Sequence, residues 1–113
     1  MICAFTGHRP EHLPWGRDED DPRCRALKIL LRRTVQQVYD RGFRTFLCGM
    51  ARGCDQYFAE AVLACRAAGT APEAILTAMV PCPSQKDGWP AGEQARYDAL
   101  LAACSAVEAV SYT

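Results

Sequence analysis

Residues 43–55 read Phe-Arg-Thr-Phe-Leu-Cys-Gly-Met-Ala-Arg-Gly-Cys-Asp, and this stretch decides the fold. Phe43 to Cys48 is aromatic and β-prone, which predicts a strand. Gly49 to Gly53 then predicts a tight turn, because glycine allows backbone conformations that other residues avoid. Four apolar residues follow at helical spacing: Phe58, Ala61, Val62 and Cys65. The turn therefore leads into a helix, which we expect to end by Gly69.

The same alternation extends in both directions along the chain. Ile2 to Thr6, Ala74 to Val80 and Ala106 to Val110 are short apolar runs that predict three more strands. A first helix is expected from about Pro22 to Arg41 and a third from about Ala91 to Cys104. The inward positions expected for the first helix are Leu27, Leu30, Leu31, Val35, Val38 and Tyr39.

Alternating strands and helices predict an α/β fold. Because the strands are apolar throughout, we expect a Rossmann-like open parallel sheet of about four strands with helices on both faces. The 113 residues suit a single domain, residues 1–113. Rossmann-type sheets usually continue to a fifth strand. We therefore expect the domain either to be C-terminally truncated or to pair the edge of strand four with another copy.

Composition limits the classes of partner and the compartment. Thirteen Lys plus Arg balance thirteen Asp plus Glu, so no global field attracts nucleic acid or an anionic membrane. The seven cysteines are an odd number without a C-x-x-C pair, which indicates neither a disulfide framework nor a zinc site. Reduced cysteines and the lack of a signal-peptide pattern or a long apolar run favour a cytoplasmic protein.

Ligands of open α/β sheets bind outside the carboxyl ends of the strands, which directs attention to three segments. The most informative is the turn from Gly49 to Asp55, where backbone amides open a helix and Arg52 adds a guanidinium. These features favour an anion, above all phosphate. Two alternatives stay open: the glycines shape only the turn, and Asp55 only stabilises the helix start.

The other two segments add a glycine, an imidazole, a guanidinium and an indole. For each of these segments a structural interpretation stays open. In that interpretation His8 is an ordinary surface residue, and the Trp89 side chain fills the loop against the core. The candidate ligand-binding residues are Thr6, Gly7, His8, Arg9, Gly49, Met50, Ala51, Arg52, Gly53, Asp55, Gln85 and Trp89.

Catalytic signatures are weak. The turn is neither G-x-G-x-x-G nor a Walker A loop, and no Ser-His-Asp or Cys-His order stands out. Cys54 at a helix start is a potential nucleophile, although a small structural residue is the simpler interpretation. Glu60 has no obvious second acid beside it. The sequence therefore leans away from an enzyme, and no cofactor is indicated beyond a nucleotide-derived ligand.

Residues 2–10 (Ile-Cys-Ala-Phe-Thr-Gly-His-Arg-Pro), 46–55 and 81–83 (Pro-Cys-Pro), with Trp89, resemble the YpsA-like branch of the SLOG superfamily. That superfamily joins the DNA-processing protein DprA with the LOG phosphoribohydrolases on a Rossmann-like fold. The resemblance covers residues 2–113, and Gly-Met-Ala-Arg-Gly-Cys-Asp at 49–55 is its most specific part. It implies that six residues line a pocket for a nucleotide-derived ligand such as ADP-ribose: Gly7, Arg9, Gly49, Arg52, Gly53 and Asp55.

The chain departs from its relatives in two ways. YpsA-like proteins usually continue into a second half with another Gly-rich turn, and the LOG motif Pro-Gly-Gly-x-Gly-Thr-x-x-Glu is not in this sequence. We therefore expect a binding or sensing domain. The first alternative is a LOG-like hydrolase of nucleoside monophosphates, with Glu60 or Asp55 as acid or base. The second is DprA-like binding of single-stranded DNA, which zero net charge and one nearby aromatic disfavour.

Overall fold

Four parallel strands form one sheet in which strand order follows chain order. The strands are β1 (Ile2–Phe5), β2 (Thr45–Cys48), β3 (Ile75–Val80) and β4 (Ala106–Ala109), arranged β1-β2-β3-β4. The computed structural model describes residues 1–7, 9–81 and 84–109. His8 and the predicted strand end at Val110 lie outside these residues. The predicted parallel sheet of four strands is confirmed.

Three helices connect the strands: α1 (Pro22–Asp40), α2 (Cys54–Ala67) and α3 (Ala91–Ala103). The start of α1 follows from its sequence, because the side chain of Asp21 accepts a hydrogen bond from the N–H of Arg23 at 2.8 Å. Pro22 occupies the first helical position, where no N–H is needed. The predicted helices are thus confirmed close to their expected bounds, and the α/β, Rossmann-like class is confirmed with them.

Among the described residues, α1 and α2 pack against the same face of the sheet. Phe58 of α2 stacks on Phe5 of β1, with ring centroids 4.6 Å apart, and also contacts Phe46 of β2. Leu31 and Val35 of α1 lie over the same strands. The α3 helix lies beside α2, where Arg66 Nη2 donates to Ala103 O at 3.1 Å.

This one-sided arrangement has a topological cause. When strand order follows chain order, right-handed crossovers place each connecting helix on the same side of a parallel sheet. On the opposite face Ile2 and Ile75 are 63% and 43% exposed, while Leu47 and Met79 are half-buried. The strands are therefore apolar on both faces although described helices cover only one.

The position of β4 also departs from the usual Rossmann order. Ala78 and Val80 of β3 pair with Val107 and Ala109 of β4, so β4 forms the edge opposite β1 rather than lying beside it. All of its residues are exposed. Within the part of the chain that the structure describes, β4 is therefore an edge strand.

The core lies between the sheet and the helices. Among the expected inward residues of α1, Leu31, Val35 and Tyr39 are buried, whereas Leu30 is 59% exposed because its side of the helix faces away from the sheet. The largest fully buried side chains are Phe46, Met50, Leu76, Val35 and Val62. Within the described ranges, no helix combines the length and apolar character needed to cross a membrane.

Candidate functional site

The carboxyl ends of β1 and β2 meet at one edge of the sheet. Phe5 pairs with Cys48, so the loop after β1 and the turn after β2 start side by side. The N–H of Gly7 donates to Asp55 Oδ1 at 3.0 Å, which joins this loop to the first turn of α2. A Cβ at Gly7 would lie 2.5 Å from the Cβ of Cys54. Glycine is therefore required here by close approach.

The turn from Gly49 to Gly53 depends on two left-handed residues. Met50 has φ 64° and Gly53 has φ 87°. The Met50 side chain is fully buried, so burial in the core holds an unusual backbone conformation in place. Gly53 is the N-cap of α2, and no side chain of the described residues caps this helix. Asp55 places a carboxylate in the first turn of α2, where negative charge is favourable to the helix dipole.

Asp55 serves the structure of this turn. Its side chain is buried and accepts hydrogen bonds from the backbone of Ala51 and Gly7. Burial raises the pKa of Asp55, while those two hydrogen bonds and the charge of Arg9 oppose the rise. The carboxylate thus accepts hydrogen bonds from two backbone amides, those of Gly7 and Ala51. This geometry supports a bracing role for Asp55 rather than direct ligand contact.

Arg52 is the best-connected side chain of the turn. Its Nη1 lies 2.8 Å from Glu93 Oε2, and its Nη2 lies 3.5 Å from Glu11 Oε1. The guanidinium also lies over the indole of Trp89, 5.0 Å from the ring centroid. Two carboxylates and one aromatic face therefore hold Arg52 in a defined position just before the start of α2.

Three guanidinium groups converge near this position. The pKa of Glu11 is lowered first by a hydrogen bond to its own backbone and then by the charges of Arg52, Arg17 and Arg9. Arg17 Nε lies 3.4 Å from Glu93 Oε1. Arg9 is exposed and forms no ion pair with another of the described residues. Arg9, Arg17 and Arg52 thus lie close to two acids, Glu11 and Glu93.

Trp89 and Gln85 form the third side of the site. Trp89 packs edge-on against Tyr97 of α3, with ring centroids 5.4 Å apart. Gln85 accepts a hydrogen bond from Tyr97 Oη at 2.8 Å and donates through Nε2 to Gly49 O at 3.0 Å. The segment after β3 is therefore fastened both to α3 and to the turn after β2.

Two small cavities flank Arg52. One, of about 110 Å³, is lined by Arg9, Ala51, Arg52, Gln85 and Trp89. The other, of about 80 Å³, includes Arg52, Gly53, Arg17 and Glu93 in its lining. Pockets for whole small molecules span roughly 300–1,000 Å³. Each cavity is therefore of a size for one anionic group rather than for a complete nucleotide.

The structure separates the candidate residues into groups. Arg9, Ala51, Arg52, Gln85 and Trp89 line one cavity and Gly53 lines the other. Gly7, Gly49 and Asp55 build the turn behind them, and Met50 lies in the core. Thr6 is exposed, and His8 lies outside the described residues. Glu60 is elsewhere, ion-paired with Arg96 and lining a cavity with Lys28 and Arg32.

Sequence reasoning missed the acidic and aromatic partners of the site. Glu93 lies in the first turn of α3, after the N-cap Pro90. An acid at a helix start is sufficiently explained by its favourable interaction with the helix dipole. No sequence pattern relates Glu93 to Arg52, which lies 41 residues earlier. Glu11 lies after β1 beside Gly7, His8 and Arg9 along the chain, and no sequence pattern relates its carboxylate to Arg52. Only a three-dimensional arrangement brings these acids to the guanidinium.

Comparison with known proteins identifies the family. A family model described as the YspA SLOG family (YpsA) matches residues 3–113. A comparison with curated proteins gave no match. The family match extends over nearly the whole chain and includes the β1 loop, the turn after β2 and the segment carrying Trp89. The resemblance read from those residues is confirmed: the chain belongs to the YspA SLOG family.

Proposed function

We propose that the domain binds a nucleotide or nucleotide derivative, such as ADP-ribose, with a phosphate in the cavity between Arg9 and Arg52. The carrying observation is the lining of this cavity by two guanidinium groups, an indole and Gln85, beside the α2 N-terminus. Guanidinium forks match phosphate oxygens in geometry and charge, and a helix N-terminus adds a favourable dipole. Membership of the SLOG family agrees with a nucleotide-related ligand.

The rest of the ligand is proposed to extend along Trp89. The indole is half-buried, with Arg52 over its ring and the edge of Tyr97 against it. An aromatic surface at the rim of a phosphate site suits a base or a ribose. Gln85 offers amide atoms close to the same surface, although both are engaged with Tyr97 and Gly49. We infer that Gln85 supports the site rather than reading the base.

The proposal is one of binding or sensing, and the arrangement of carboxylates favours it over hydrolysis. A phosphoribohydrolase would need Glu60 or Asp55 at the ligand. Glu60 pairs with Arg96, and Asp55 accepts from Gly7. Neither residue lines the cavity between Arg9 and Arg52. Release of free base from a nucleoside monophosphate, above that of an Arg52→Ala control, would restore the hydrolase alternative. For DNA, zero net charge remains an unfavourable feature.

Two further proposals concern the setting of the domain. Five cysteines of the described residues, Cys3, Cys24, Cys48, Cys65 and Cys104, are free thiols, and this supports the proposed reducing, cytoplasmic location. We also propose that the β4 edge pairs with a second copy, because Ala106–Ala109 are exposed at the end of the sheet. Light scattering across a concentration series, with Val107→Pro as the edge-blocking variant, tests this pairing.

A thermal-shift screen tests the proposed function. The purified chain and its Arg52→Ala variant are heated with AMP, ADP, NAD, ADP-ribose or short single-stranded DNA. A ligand at one hundred times its dissociation constant stabilises a fold by about 2.7 kcal/mol, which is a measurable rise in the unfolding midpoint. We expect a nucleotide to raise the midpoint of the wild type more than that of the variant. Equal shifts in both proteins, or no shift in either, would count against the site.

A further inference from the structure

Arg52 and Glu93 stand between the two small cavities of the site. Arg52 lines both of them, whereas Glu93 lines only the cavity of about 80 Å³. Their side chains are 20% and 27% exposed, and the pair closes at 2.8 Å. A partly buried pair at this distance is a charge-assisted hydrogen bond rather than a loose surface contact. The pair therefore lies at the boundary between the two cavities, and Glu93 is the main counter-ion of Arg52 there.

A phosphate that binds Arg52 has to compete with these acids. Glu93 already satisfies Nη1 of Arg52, and Glu11 lies 3.5 Å from Nη2. Arg17 Nε, 3.4 Å from Glu93 Oε1, offers Glu93 a second cationic partner. Glu93 therefore keeps a neighbouring charge when it loses Arg52. An incoming anion can therefore replace Glu93 as the partner of Arg52 while Glu93 stays close to Arg17.

We propose that Glu93 is a specificity-determining residue, an internal counter-ion that restricts the site to polyphosphate groups such as the diphosphate of a nucleotide. This inference rests on the proposed function, because it concerns which anions bind to the same phosphate site. A single phosphate binds Arg9 but has to compete with Glu93 for the guanidinium of Arg52. A diphosphate carries enough charge to engage both guanidinium groups in spite of that competition.

The test compares pyrophosphate and inorganic phosphate binding by isothermal titration calorimetry in the full chain. Three proteins are used: wild type, Glu93→Gln, and Asp98→Asn as matched control. Asp98 lies on the same helix and pairs with Lys86 at 2.6 Å, so its variant removes one negative charge from α3 without touching Arg52. Thermal unfolding of each variant verifies that the fold is retained.

We expect Glu93→Gln to bind inorganic phosphate about 5- to 30-fold more tightly than wild type, as the loss of one charge-assisted competitor implies. The preference for pyrophosphate over phosphate should narrow in Glu93→Gln and stay unchanged in Asp98→Asn. In a Trp15→Phe background, emission from Trp89 should change when pyrophosphate moves Arg52 relative to the indole, which it overlies at 5.0 Å.

Each outcome decides between the two claims. If pyrophosphate binds the wild type in an Arg52-dependent manner but Glu93→Gln leaves the preference unchanged, the role of Glu93 is overturned and the phosphate site stands. If nucleotides fail to bind while Glu93→Gln gains inorganic phosphate as expected, the counter-ion role stands and the proposed function fails. If neither protein binds either anion, both are overturned. If Glu93→Gln and Asp98→Asn gained the same affinity for inorganic phosphate, the effect would come from net charge alone, and the specific role of Glu93 would be overturned.

Discussion

The carboxylate of Asp55 joins the ends of two neighbouring strands, since its Oδ1 accepts a hydrogen bond from the N–H of Gly7 at 3.0 Å, across 48 residues of sequence. Its Oδ2 lies where a Cβ on Gly49 would approach to 3.3 Å. The loop that carries Arg9 and the turn that carries Arg52 are thereby fixed relative to each other. A buried acid thus sets the spacing of the two guanidinium groups proposed to bind phosphate.

Asp55→Asn should destabilise the fold by about 1–3 kcal/mol, because an amide presents one acceptor where the carboxylate presents two. The NH₂ group of the new side chain would face a backbone donor. Urea unfolding at pH 7 measures the loss. Asp87→Asn, an exposed loop position, is the matched control and should leave the free energy of unfolding unchanged. A similar loss in both variants would show that the Gly7 link contributes nothing of its own.

The same residue predicts a pH dependence. Burial raises the pKa of Asp55 above the ordinary value of 3.8. As pH rises through this window, the unfolded chain loses its proton before the folded chain does. Asp55 therefore contributes stability at low pH that declines as pH rises from about 3.8 through the folded pKa. The free energy of unfolding should fall less steeply with pH in Asp55→Asn than in wild type. A steeper fall in the variant would contradict the sign of the shift.

Asp21 predicts the opposite behaviour at acid pH. Hydrogen bonds from the side chain and backbone of Arg23 lower the pKa of Asp21 to about 2. Its stabilising contribution is present above 3.8 and is lost as pH falls towards 2. Asp21→Asn keeps a good N-cap but removes the charge. The variant should be less stable than wild type at pH 6, and circular dichroism should show that difference disappearing near pH 2. A constant difference across this range would argue against an ionised cap.

Two glycine-to-alanine changes should have opposite effects. A Cβ at Gly7 would lie 2.5 Å from the Cβ of Cys54, an atom bonded directly to the backbone of α2. Gly7→Ala should therefore cost about 1–3 kcal/mol through overpacking. Gly92 lies in α3, where an added Cβ meets nothing within 4 Å. Gly92→Ala should stabilise by about 0.5–1 kcal/mol. Thermal unfolding of both variants checks the pair, and destabilisation by Gly92→Ala would be inconsistent with its open surroundings.

The local elements were predictable because their signals are local. Asp21-Pro22 marks the start of α1, and the apolar run at β3 ends before Pro81. The placement of helices was not predictable in the same way. Strand order decides which face each crossover covers, and apolar strands look alike whether or not a helix covers both faces. Ile2 and Ile75 belong to apolar strands and are nevertheless exposed.

The sequence could predict which strand ends carry the residues of the candidate site. Arg9, Arg52, Gln85 and Trp89 all line one cavity because parallel strands end at the same edge. The roles within that set depended on burial and pairing. Met50 proved to be core, and Glu93 became a partner of Arg52. Such relationships arise from the docking of α3 beside α2, which leaves no periodic signature in the sequence.

The most direct measurement of the central claim is the dissociation constant of ADP for wild type, Arg52→Ala and Arg33→Ala, by isothermal titration calorimetry. Arg33 is exposed on α1, away from the cavity between Arg9 and Arg52, so its variant controls for the loss of one positive charge. Losing a charge-assisted hydrogen bond costs about 1.5–3 kcal/mol, which corresponds to roughly 10- to 150-fold in affinity. We predict that loss for Arg52→Ala and an unchanged constant for Arg33→Ala. Equal affinities for ADP in all three proteins would contradict a phosphate site at this turn.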